Sequence, residues 1–211
     1  MRATMVTKSS IEIRLLLAAV AVVVVSPVKA QTREDLSRLE ISATAGIAHV
    51  WNAQFNEVYR GVQVPLSVQL DCRVFRRIYA FSGFRFVGIE GEAISEEPVQ
   101  AQEEFQTKFK MYSAAIGWAV AMPIRRATVT AGAGITCNWY REILAEANLS
   151  TRGTAIGFLA QTAARYPLSR RFSVLGRLGF SSIPSRTDPV TNGRINLGGI
   201  EVSGGLSVRL F

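Results

Sequence analysis

Residues 59–74, YRGVQVPLSVQLDCRV, alternate almost without interruption. Val62, Val64, Leu66, Val68 and Leu70 share one phase, and Gly61, Gln63, Pro65, Ser67, Gln69, Asp71 and Arg73 share the other. Successive side chains of a strand face opposite sides of its sheet, so this is a strand with one apolar and one polar face. It is longer than the about five or six residues of an ordinary globular strand and long enough for a bilayer crossing, which needs about 9–11. Arg76-Arg77 ends the run, and Ile78, Tyr79 and Phe81 begin another at once. The same unit of strand, basic turn and strand recurs around Arg125-Arg126 and Arg170-Arg171.

The flanking sequence completes eight such strands. Leu39 to Trp51 sets Ile41, Ala43, Ala45, Ile47 and Trp51 against Glu40, Ser42, Thr44 and Gly46, and a short loop through Asn52 and Asn56 follows. The third strand, Ile78 to Ile89, lacks a clean facing: Tyr79, Phe81, Val87 and Ile89 share a phase with Arg85, while Phe84 and Phe86 take the other. A bulge near Gly83 would reconcile the two. Glu90 to Glu104 reads as an acidic loop. Thr107 to Met122 puts Tyr112, Ile116, Trp118, Val120 and Met122 opposite Ser113, Ala115, Gly117 and Ala119. The fifth strand sets Val129, Ala131, Ala133, Ile135 and Trp139 against Thr128, Thr130, Gly132, Gly134, Thr136 and Asn138, and a polar loop runs from Arg141 to Gly153. The sixth, Thr154 to Tyr166, opposes Ile156, Phe158, Ala160 and Tyr166 to Gly157, Gln161 and Arg165. The seventh opposes Phe172, Val174, Leu178 and Phe180 to Ser173, Arg177, Gly179 and Ser181. After a loop holding Pro184, Asp188 and Pro189, the last strand opposes Ile200, Val202, Leu206, Val208 and Leu210 to Glu201, Ser203, Ser207 and Arg209.

Residues 1–30 stand apart as a secretory signal peptide. Arg2, Lys8 and Arg14 give a basic start, Leu15 to Val25 is an unbroken apolar run, and Val28-Lys29-Ala30 fits a cleavage site. Eleven apolar residues are too few for a membrane helix, which needs about 20, and no cysteine follows to carry a lipid anchor. Residues 31–38 form a polar periplasmic lead-in, and residues 39–211 the barrel. Removing the signal lowers the formal charge from +8 to about +5. The basic residues form no patch mixed with aromatics, so nucleic acid is not an expected partner. Cys72 and Cys137 fall on apolar faces near opposite ends of their strands, and two free thiols packed as small hydrophobes are expected.

Alternation alone does not say which face is inside. The polar faces are rich in Gly, Ser and Thr rather than in the Lys and Glu of a solvated sheet. Tight turns fall at one end and long connections at the other, as in bacterial outer-membrane barrels. Trp51, Trp139, Tyr79, Tyr166 and Phe172 lie towards strand ends, where interface girdles sit. The expected fold is therefore all-β: an eight-stranded antiparallel up-and-down transmembrane β-barrel, closed because an open edge in hydrocarbon leaves backbone groups unpaired.

Signal peptide, eight alternating strands, short turns and an aromatic C-terminus together resemble the small outer-membrane barrels of the outer-membrane protein A and X type. The resemblance implies integral outer-membrane localisation, lipids as partners, a monomer, and insertion by the barrel-assembly machinery. In that family the machinery reads a terminal Phe or Trp preceded by apolar residues at every second position. Val202, Leu206, Val208 and Leu210 supply that rhythm, and Phe211 stands one residue out of phase, so the terminal role is open between Leu210 and Phe211.

A barrel of eight strands is only wide enough for its own side chains. The expected function is a structural or surface-interaction role through the extracellular loops. A small-solute pore is the alternative, and a barrel-embedded lipid-modifying enzyme comes third. The sole histidine, His49, falls in the lipid-facing phase, so no imidazole metal cluster and no catalytic site are expected, and no cofactor. The acidic loop from Glu90 to Glu104 offers oxygens of the kind that hold calcium or magnesium, but it lacks the ligand spacing of a calcium loop, and a solvated run of like charge is the expected reading. Arg76, Arg77, Arg125, Arg126, Arg170 and Arg171 are expected at the periplasmic rim against lipid headgroups. Glu40, Asp71, Arg73, Arg165, Arg177, Glu201 and Arg209 are expected to form a polar lumen network that closes the bore, with Glu40 meeting Arg209 and Arg177 meeting Glu201.

Overall fold

The computed structural model describes residues 39–59, 62–94, 104–124, 126–144, 149–186 and 194–210. The signal peptide, the lead-in, Arg125, Phe211 and the middle of the acidic loop lie outside them. The described chain forms β1 (Leu39–Val50), a short helix α1 (Ala53–Val58), β2 (Leu66–Phe75), β3 (Ile78–Ile94), β4 (Glu104–Ile124), β5 (Ala127–Leu144), β6 (Leu149–Pro167), β7 (Phe172–Ser182), the short strands β8 (Pro184–Arg186) and β9 (Arg194–Asn196), and β10 (Gly199–Arg209). Eight of the strands close a barrel in the order β1-β10-β7-β6-β5-β4-β3-β2, every neighbour antiparallel. The seam is the β1–β10 pair, in register from Glu40 opposite Arg209 to Val50 opposite Gly199.

The alternation resolves with the apolar phase outward. Val62, Val64, Leu66 and Val68 are exposed, while Gln63, Pro65, Gln69 and Asp71 are buried. Trp118 is 60% exposed and Ile116 53%, whereas Ala119 and Ser113 on the same strand are buried. Such a surface has no place in water, because it leaves most of the large side chains wet, and it matches a hydrocarbon environment. Close approach of strands sets the small residues of the inner face: a Cβ on Gly117 would collide with the Ala133 carbonyl oxygen and lie 2.5 Å from the Phe81 ring.

Four departures from the sequence reading stand out. β3 pairs with both neighbours continuously through Gly83, so there is no bulge there; the register shift lies between Arg73 and Phe75, beside Arg76, whose φ is 37°. Tyr79, Phe81, Val87 and Ile89 point into the barrel and Phe84 and Phe86 out of it, so Tyr79 is a lumen residue and not part of a girdle. β3 to β6 are longer than expected, with 17 to 21 residues; the two supposed loops are partly hairpin arms that rise beyond the other strands. Finally, residues 53–58 are helical, with Asn52 Oδ1 accepting from the Phe55 amide at 2.8 Å as N-cap.

Candidate functional site: the lumen and its extracellular mouth

Inward side chains meet at three levels. Nearest the tight turns, the Arg165 guanidinium on β6 reaches across to two strands. Its Nε lies 3.3 Å from Glu40 Oε1, and its Nη2 pairs with Asp71 Oδ2. Gln69 Nε2 donates to Asp71 Oδ1 at 2.7 Å, and Gln161 Nε2 donates to Gln69 Oε1 at 3.2 Å. Asp71 is 3% exposed and Arg165 7%, so these charges persist by satisfying one another.

At mid-height Arg177 donates from Nη2 to Ser42 Oγ at 3.3 Å and from Nη1 to Ser67 Oγ at 3.4 Å, and Ser67 Oγ lies 2.5 Å from Thr44 Oγ1. Above it, Arg85 Nε meets Glu201 Oε2 at 2.8 Å. A cavity of about 70 Å³ opens between these levels, lined in part by Arg177, Gln161, Ser113 and Asn138. That is room for only a few waters.

Of the charges expected in the lumen, Glu40, Asp71, Arg165, Arg177 and Glu201 make contacts there, but neither expected pair forms. Glu40 and Arg209 are cross-strand neighbours as expected, yet Glu40 pairs with Arg165. Arg177 lies opposite Ser203, and Glu201 pairs with Arg85 rather than with Arg177. Arg73 leaves the network altogether, its Nε donating to the Arg76 carbonyl at the turn. Arg85, Gln69 and Gln161 were not foreseen as members. For Arg85 the signal was present, since it shares a phase with the buried Phe81 and Val87.

The mouth is closed differently, by an apolar core. Val87, Ile89, Phe109, Met111, Tyr140 and Ala155 line the raised strands, and Phe55 and Tyr59 of the α1 segment pack into them. Phe55 meets the Phe109 ring edge-on at 5.2 Å, and Tyr59 lies 5.7 Å from it. The Tyr59 hydroxyl donates to Glu142 Oε1 at 2.6 Å, and the Tyr140 hydroxyl lies 2.5 Å from Ser185 Oγ. A Cβ on Gly91 would sit 2.5 Å from the Val58 carbonyl oxygen, so the glycine is what lets α1 lie against β3. No sequence reading foresaw this lid, although the Asn52 cap and the four-residue spacing of Phe55 and Tyr59 encode it.

Outside the barrel, the Trp51 ring lies tilted against Phe180 at 5.2 Å and the Phe86 ring against Tyr112 at 5.1 Å, at the mouth end of the apolar belt. Tyr166 and Phe172 are exposed at the other end, beside the exposed turn residues Arg76, Arg77, Arg126, Arg170 and Arg171. Cys72 and Cys137 are free and half-buried. Among the described residues, no helix is long and apolar enough to cross a membrane.

No protein-family profile matches the chain, and no curated protein matches its sequence. Among solved structures it is similar to Neisserial surface protein A, with a TM-score of 0.60 and 15% identity over 84% of this chain and 100% of that one. It is also similar to a major outer membrane protein from Thermus thermophilus, with a TM-score of 0.50 and 12% identity over 81% of this chain and 98% of that one. The fold is that of an eight-stranded outer-membrane β-barrel. The aromatic clusters of this barrel flank its apolar belt, and the raised hairpins stand at the end opposite the tight turns, with outward Glu90, Lys108, Lys110, Arg141 and Arg152 beyond the belt.

Proposed function

We propose that this barrel is an integral outer-membrane protein closed to solutes, which acts as a structural or surface-interaction element through its extracellular end. The observation that carries the reading is double closure. A charge network spans the lumen from Glu40 through Arg165 to Asp71, and a separate apolar core seals the mouth. A conducting bore needs neither. His49 is exposed on the outer face of β1, away from the lumen hydroxyls, which supports a non-enzymatic role. Purified protein in a planar bilayer is expected to show no steady conductance; large, stable, ion-selective channels would establish the small-solute pore instead.

Two further assignments belong to this reading. Arg76, Arg77, Arg126, Arg170 and Arg171 contact inner-leaflet headgroups, supported by their exposure beside the lower aromatic ring and by the about 1 kcal/mol each contributes near an anionic surface. Val202, Leu206, Val208 and Leu210, with Phe211, form the signal for the barrel-assembly machinery. Support comes from the outward phase of Val202, Leu206 and Leu210, and from the Leu210 amide, which reaches the Leu39 carbonyl at 2.9 Å to close the seam. Deleting Leu210 and Phe211 is expected to abolish membrane insertion while export continues; normal insertion of the truncated chain would remove the assignment.

A further inference from the structure

Immediately beyond the mouth-side aromatic ring, three cations stand side by side. Lys110 on β4 is the direct cross-strand partner of Arg141 on β5, and Arg141 is the partner of Arg152 on β6. All three are exposed and share the outward phase of the apolar belt. Two residues lower on the same strands come Tyr112, Trp139 and Thr154, again mutual partners. Two residues of strand span about 6–7 Å, which places the cations in the headgroup layer above the ring.

Like charges directly opposite one another on a sheet are unfavourable, and three in a row across β4, β5 and β6 compound that. Among the described residues none of the three forms an ion pair, although Glu90 lies within electrostatic reach of Lys110. Glu90, opposite Lys108 one level higher, is engaged by Lys108 Nζ at 2.9 Å. Arg141 Nε donates to Ser150 Oγ at 3.2 Å. Guanidinium and ammonium groups so placed suit a phosphoryl group, which offers several acceptor oxygens and a full negative charge. Because the row points sideways, in line with the lipid-facing belt, a lipid reaches it without leaving the bilayer.

We propose that Lys110, Arg141 and Arg152 form a binding site for the phosphate of an anionic outer-leaflet lipid. The proposal rests on the membrane-spanning reading above, and the test separates the two. Trp139 lies directly beneath the row and serves as reporter once Trp51→Phe and Trp118→Phe remove the other tryptophans. The full barrel is placed in phosphatidylcholine vesicles holding a minority of phosphatidic acid brominated close to its headgroup. Trp139 quenching is expected to show local enrichment of the brominated lipid over its bulk fraction. Lys110→Gln/Arg141→Gln/Arg152→Gln should abolish that enrichment, and Arg141→Gln alone should lower it about fivefold, the equivalent of about 1 kcal/mol for one cation near an anionic surface. Equal quenching in wild type and triple variant, or no enrichment in the wild type, overturns the site. Displacement of the brominated lipid by inorganic phosphate at matched concentration assigns the row to free phosphate and overturns the lipid. A companion protein carrying Trp51→Phe and Trp139→Phe reports from Trp118 in the belt. Brominated phosphatidylcholine should quench it in every variant, and failure there would count against the membrane-spanning reading instead.

Discussion

Arg165 shows how one side chain can decide a lumen. It bridges Glu40 and Asp71, two carboxylates on neighbouring strands β1 and β2, from the opposite wall. Removing one partner of a buried ion pair commonly costs about 3–5 kcal/mol, and here Arg165→Ala strands two carboxylates at once. It should therefore lower unfolding stability in detergent by at least that range, while Arg126→Ala, at an exposed turn, changes it by less than about 0.5 kcal/mol; equal effects in urea titrations would refute the network. Tyr59 carries the pH signature of the mouth. Burial foremost, and then the Glu142 carboxylate, hold its phenol well above the ordinary 10.0. The folded protein thus keeps this proton more tightly than the unfolded chain. Docking of the lid is at full strength below pH 10.0 and weakens as pH rises from there through the raised folded value. Alkaline titration of phenolate absorbance, wild type minus Tyr59→Phe, should reveal a tyrosine that ionises late; a difference centred on the ordinary value would contradict the Tyr59–Glu142 contact.

At the scale of elements, α1 is a lid joined to a barrel that does not depend on it. Six helical residues are too few to persist alone; the cap at Asn52 and the aromatic cluster hold them. Phe55→Ala removes a core aromatic, a change that commonly costs about 3–5 kcal/mol. The loss should fall on lid docking, because the barrel ladder does not run through α1. Amide exchange across residues 53–58 should accelerate while the folded barrel keeps its unheated gel mobility. Gly91→Ala is expected to act the same way, since its Cβ would collide with the Val58 carbonyl. Loss of the barrel itself in either variant would show that lid and barrel fold as one unit.

The whole molecule is sorted by environment along one axis: basic turns, apolar belt between two aromatic rings, charged hairpin arms. A charge placed on the outward face near the bilayer midplane costs about 2–4 kcal/mol and falls to about 0–1 near the interfaces. Ile116→Arg, in the belt, should therefore lose stability in that range in lipid vesicles, and Thr154→Arg, at the upper ring, should be nearly neutral. Equal costs at the two sites would mean that the belt is not where the outward phase places it.

The period-two pattern by itself determined the number of barrel strands, the antiparallel sequence of hairpins, the seam between the first and last barrel strands, and how most strands divide into two faces; the Gly, Ser and Thr content of the polar phase then assigned that face to the lumen. A pleated strand leaves no other division of its side chains once one phase is apolar. Sequence could not determine who meets whom across the lumen. Arg165 and Glu40 sit 125 positions apart on walls that only closure brings together, and a long guanidinium spans the bore as readily as it reaches a neighbouring strand. For the same reason Arg209, opposite Glu40 in register, is passed over. β3 misled because lumen and lid demand apolar inward residues at both of its ends, at Phe81 and at Val87. Its two faces are then both apolar, and alternation carries no contrast to read; only the shape of the closed barrel, with an oily mouth above a charged waist, distinguishes them.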